Sequence, residues 1–159
     1  MLAWVRSTPT ARPGAVAVSE PAAVPADGAT AGPAASVAYF YTVLRVVPRI
    51  DRGERINVGV VLFSRSLRYL GMRWALDPWK LEALSATTDP DFVESQMAAM
   101  AAVADGAVDG GPMARMDLAE RFHWLAAPSS TMIQPSPVHT GVTSDPEATL
   151  DRLFTELVG

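Results

Sequence analysis

With 159 residues, 49% of them hydrophobic, and a formal net charge of -4, the chain has room for one ordinary domain plus an appendage but not for two full domains. It contains no cysteine, which excludes disulfides, thiolate nucleophiles and cysteine-ligated zinc. No run approaches the about 20 apolar residues of a membrane helix, so the expectation is a soluble, cytoplasmic protein, and the net acidity speaks against a dedicated duplex binder.

Residues 1–37 are rich in Ala, Pro, Val and Gly, lack periodicity and carry few large side chains. Such a segment cannot bury enough apolar area to offset its ordering entropy, and it reads as a disordered tail. Arg6, Pro9, Arg12 and Pro13 interrupt any secretory apolar stretch. A further expectation is that translation starts near Val37, which intact mass of the native protein would test. Residues 38–159 are expected to form a single domain.

That domain opens with "AYFYTVLRVVP", β-branched and aromatic and closed by Pro48, a first strand. The polar loop "PRIDRGER" leads to "INVGVVLFS", whose nearly continuous apolar character is that of a strand covered on both faces. "RYLGMRWAL" alternates Leu70, Met72 and Trp74 with Tyr69, Gly71 and Arg73, completing an antiparallel meander. Asp77-Pro78, Asp89-Pro90 and Asp145-Pro146 each supply a helix N-cap followed by proline in the first turn. They predict a short helix over "DPWKLEALS", a longer one ended by Gly106, and a last one with Leu150, Leu153, Phe154 and Leu157 on one stripe. "MDLAERFHWLAAP" is a further helix, stopped by Pro128. The fold class is therefore α+β, an antiparallel three- or four-stranded sheet with helices packed mainly on one face.

Three blocks, "YTVLRVVPR", "GERINVGVVLF" and "SSTMIQPSPVHTG" followed by the "DPEATLDRLF" helix, together resemble a bacterial family catalogued as domain of unknown function 3037, from about Tyr39 to Val158. The resemblance carries no activity, cofactor or catalytic residue. Members are similar to proteins encoded beside HipA-like kinases, which implies a kinase partner by association only.

The residues themselves suggest several binding surfaces. Between Tyr39 and Lys80 seven arginines and one lysine face Asp51, Glu54 and Asp77, whereas Leu81 to Gly159 holds twelve acids against Arg115, Arg121 and Arg152. Either basic strand edges are neutralised by acidic helices, or Arg45, Arg49, Arg52 and Arg55 with Tyr41 nearby hold single-stranded nucleic acid or an acidic protein patch; with Asp51 and Glu54 diluting the charge, a plain solvated loop is the leading reading of this stretch.

A second candidate places Asn57 and Gly59 on one strand face, forming with Arg45 and Arg73 a depression for an anion; packing of Trp79 or Trp124 over the glycines is the structural alternative. The third is Met132–Gly141, where Gln134, Ser136, His139 and Thr140 can donate to a phosphate. Pro135 and Pro137 push the segment toward extended geometry, so a rigid element, a stiff edge strand or a polyproline-like arch, is the first reading and a site the second. If this segment returns beside "INVGVVLF", His139 converges with Arg45, Arg49, Arg55 and Arg73 of the first strands.

No serine sits in a nucleophile elbow, no histidine pattern matches a metal site, and His123 reads as a half-buried helix residue. Hence no catalytic residue, metal or cofactor is assigned. A non-catalytic domain acting through a protein partner is the leading expectation. Single-stranded nucleic-acid binding through Arg45 to Arg55 is the first alternative, and a small-anion or phosphate-binding enzyme using Gln134 to Gly141 the second.

Overall fold

Strand β1 (Val37–Val46) is the middle of the sheet, and it begins on the last residue expected in the tail. The structure, a computed structural model, describes residues 35–159; the expectations for residues 1–34, including the start site, fall outside these. β2 (Ile56–Ser64) and β3 (Tyr69–Trp74) follow as an antiparallel meander. The opposite flank of β1 is occupied by β4 (Ile133–Pro135) and β5 (His139–Thr143), both antiparallel to it, so the late segment returns beside β1 and not beside β2 as expected, because β2 already has β1 and β3 as neighbours. The order β3-β2-β1-β4 with β5 also on β1 makes four strand positions, the fourth divided in two.

The division has a local cause. Leu44 pairs with Pro135 and Tyr41 with His139, so three steps along β1 oppose four on the other strand. One extra residue must bulge out. Proline lacks an N–H at 135 and 137, and Ser136 compensates from both sides: its N–H donates to the Val43 carbonyl at 2.8 Å, and its Oγ accepts the Val43 N–H at 2.9 Å. Thr42, fully buried, donates from Oγ1 to the Ser136 carbonyl.

Strand alternation sends β2 side chains to two separate cores. Val61 and Phe63 join Leu44, Val46 and Met72 under α1 (Pro78–Leu84), α2 (Pro90–Asp105), α3 (Gly111–Ala114) and α4 (Leu118–Leu125). Val60 and Leu62 join Tyr39 under Leu150 and Leu153 of α5 (Pro146–Leu157). Four helices thus cover one face and α5 lies on the other. The caps follow the sequence grammar: Asp77, Asp89 and Asp145 side chains accept from first-turn amides, Asp117 forms a capping box with Glu120, and Gly106 ends α2 at φ +67°. A 3-10 turn over Val108–Gly110 and the short α3 lacked a comparable signal. Among the described residues, no helix is long and apolar enough to cross a membrane.

Candidate functional site

The two glycines of the meander are covered, though not by Trp79 or Trp124. A Cβ on Gly59 would meet the Arg73 carbonyl and Trp74 Cβ at 3.0 Å and Met97 Cε at 3.1 Å, whereas one on Gly71 would meet Tyr69 Oη at 2.3 Å and Leu150 Cδ2 at 2.9 Å. Trp79 is 80% exposed and Trp124 is 45% exposed, so neither fills the expected packing role. Asn57 and Gly59 do not share a face. The register slips between Leu44 and Arg45, and this irregularity turns Asn57 to the α5 side, where its Nδ2 donates to the Leu157 carbonyl at 2.9 Å.

The same geometry separates the arginines. Arg73 lies against α5, paired with Glu147 and, at 2.9 Å, with Asp151; Tyr69 Oη donates to Glu147 at 2.6 Å. Burial draws the Arg73 pKa down, but Glu147 and Asp151 more than offset it and the net direction is upward. For Tyr69, burial first and the Glu147 hydrogen bond second push the phenol well above its ordinary value. Arg49 pairs with Asp51, and Arg52 with Glu54, within the loop itself.

Arg45 differs. It stands opposite Asn57 on β2 and Gln134 on β4, with Arg55 two residues before Asn57. Its Nη2 donates to the Pro135 carbonyl at 2.8 Å, while among the described residues its buried Nε has no partner. Burial and then Arg55 lower its pKa. Among the described residues neither Arg45 nor Arg55 has a carboxylate in salt-bridge range.

The third segment contributes mainly structure. Ser136 is spent on β1, Thr140 Oγ1 donates to the Tyr39 carbonyl at 3.1 Å, and Gln134 Nε2 to the Thr131 carbonyl at 3.0 Å. His139 stacks on Tyr41 with ring centroids 5.0 Å apart. It sits opposite Tyr41, four residues from Arg45 and hence about 13 Å along the strand. The structure brings Gln134, Asn57, Arg45 and Arg55 together and leaves His139, Ser136, Arg49 and Arg73 elsewhere. His123, expected half-buried, is exposed in the last turn of α4.

A different site emerges on the four-helix face. Phe92, Gln96 and Met100, four residues apart along α2, form one wall of an open groove of about 460 Å³. Trp124 and Leu125 of α4 form the other wall, and Met132, Ile133 and Pro135 close it at the sheet. Phe92 is 49% exposed.

The frame is fixed by backbone bonds: Val47 N–H donates to Met132 O at 2.8 Å, and Ser129 and Thr131 hydroxyls both donate to Ile133 O. Arg121 Nη1 donates to the Val103 and Ala104 carbonyls, tying α4 to the end of α2. The hydroxyl-rich "SST" therefore shapes the groove's rim. The readable signal was α2's second apolar stripe, Phe92 and Met100, displaced from the core stripe Val93, Met97 and Ala104. No group of three or more His, Asp or Glu that could hold a metal occurs among the described residues.

The family model for "Protein of unknown function (DUF3037)" matches residues 41–158, and the chain belongs to that family. No curated protein and no solved structure matches it.

Proposed function

Starting from membership of a family without an assigned activity, we propose that this is a non-catalytic binding domain that acts on a protein partner through the α2–α4 groove. The observation carrying this reading is the half-exposed pair Phe92 and Trp124 set in an apolar groove with a hydroxyl and amide rim. Tryptophan anchors in partly enclosed apolar sites are where binding energy concentrates, and methionines such as Met100 and Met132 adapt to an incoming side chain.

A groove between two helices suits the apolar face of a partner helix. Residues 89–135, which build it, carry seven acids against Arg115 and Arg121, so a partner segment with basic flanks is favoured electrostatically. The HipA-like kinase suggested by the family resemblance is the first partner to test.

Titration of that purified kinase with this protein checks the reading: Trp124→Ala should weaken binding by roughly 30-fold, about 2 kcal/mol, at unchanged melting temperature. Binding that ignores Trp124→Ala and Phe92→Ala alike would overturn the groove as the contact. A second reading has its own support in Arg45 and Arg55, two neighbouring guanidinium groups without carboxylate partners among the described residues, flanked by the Asn57 and Gln134 amides. Inorganic phosphate and a labelled single-stranded oligonucleotide, each titrated at low and moderate salt, test it. Binding that is lost in Arg45→Ala and falls with salt supports an anion site; no binding at low salt removes it.

A further inference from the structure

The sheet treats its exposed edges unequally. On β3 the Arg73 side chain folds back so that Nη1 donates to its neighbour's Met72 carbonyl, a charged cover over one outward group. On β4, Pro135 ends the strand and Pro137 follows, so neither position offers an N–H to a new strand. β5 carries no such device. The Ser136–Ser144 stretch has no acidic or basic residue apart from His139.

The Ala38 carbonyl accepts from Ser64 of β2, and Val43 turns its N–H and C=O to Ser136. Even-numbered β1 residues therefore hydrogen-bond toward β2 and odd-numbered ones toward β5, making Tyr39–Gly141 and Tyr41–His139 the bonded pairs. The N–H and C=O of Thr140 and Val142 consequently point away from β1, and among the described residues β5 pairs with no other strand. Beside this open edge Val142 is 72% exposed and Val138 is 47% exposed.

The residues that line the edge also select its occupant. Val138, Thr140 and Val142 form a palindrome centred on Thr140, so an antiparallel copy related by a two-fold axis sets valine against valine and threonine against threonine along the whole edge. We propose that β5 pairs with β5 of a second copy of this chain about a two-fold axis at Thr140, joining the two sheets. In that register Thr140 faces its own counterpart and each Val138 faces Val142 of the other copy on the same sheet face. The outward amides and carbonyls are satisfied across the axis, and the two exposed valines of each copy are covered. Without opposing charges the identical edges do not repel. A single short strand pair is a small interface, so the dimer is weak, in the micromolar range.

Sedimentation equilibrium of the full chain from about 1 μM to about 1 mM tests the pairing, with the expected result a reversible monomer–dimer equilibrium. Val138→Lys and Val142→Glu, both at exposed positions, should each raise the dissociation constant by about tenfold or more. Combined in one chain they should restore association, because the register sets each introduced ammonium against the other copy's introduced carboxylate, and 1 M salt should remove that rescue. A monomer throughout the concentration range overturns the proposal. So does a dimer indifferent to both single substitutions, or a double variant that fails to recover although circular dichroism shows it folded.

Discussion

The two halves of the sheet solve the same problem in opposite ways. Across β2 and β3, on the α5 side, polar groups are matched within the chain: Arg73 meets Glu147 and Asp151, Tyr69 meets Glu147, and Asn57 meets the last turn of α5. Toward β4 and β5 the matching stops. Among the described residues the buried Arg45 Nε has no partner and β5 pairs with no strand but β1, and on the four-helix side Phe92 and Trp124 stay half-exposed around a groove. The contrast teaches where to look for function, since unmet hydrogen-bonding and apolar capacity belongs to surfaces that receive something.

The strongest way to break the contrast is to empty its cores. Met97→Ala and Leu150→Ala remove fully buried side chains from the two opposite faces and should each cost about 2–5 kcal/mol in denaturant unfolding. A loss from only one of them would mean that the other face is not a true core. Ser136→Ala comes next. It strands the Val43 N–H in a buried position, with an expected loss of about 1–3 kcal/mol, and Ser136→Thr should recover part of it by returning the hydroxyl.

Ser136 also shows how much was legible beforehand. The proline spacing predicts a stiff edge strand or a polyproline-like arch at "MIQPSPVHTG", and of the two the sheet has the edge strand. What the sequence does not reveal is that the strand is split by a one-residue bulge, because pairing register depends on a partner more than 90 residues away. Likewise the D-P starts foretell every capped helix that follows them, while Asn57 lands on the unexpected face because of an irregularity between Leu44 and Arg45 that no local pattern announces. Arg45, Asn57, Gln134 and Arg55 come together as neighbours in the strand register, but His139 is carried away to Tyr41. The groove was the least legible part. Phe92 and Trp124 read as ordinary apolar helix positions until their neighbours are known.

Smaller effects sharpen the closed half. Arg73→Ala removes both of its ion pairs, yet Glu147 and Asp151 are more than half exposed, so solvent screening limits the loss to below about 1 kcal/mol per pair. Tyr69 adds a pH signature. Its folded-state pKa is raised, so the protonated phenol is the favoured native form; stability is fully present below the ordinary tyrosine value of about 10 and declines as pH rises beyond it. Tyr69→Phe should flatten that alkaline decline in thermal melts read between neutral and strongly alkaline pH. A decline of the same steepness in the variant would assign it to another group.

The central claim, that the α2–α4 groove meets a protein while the α5 side is closed structure, is tested most directly by hydroxyl-radical footprinting of this protein inside its native cells and after purification, compared residue by residue. Trp124 and Phe92 are expected to be oxidised readily in the purified protein and strongly protected in the cell, with Trp79, equally aromatic and more exposed, oxidised alike in both. Equal oxidation of Trp124 and Phe92 in the two samples would contradict it.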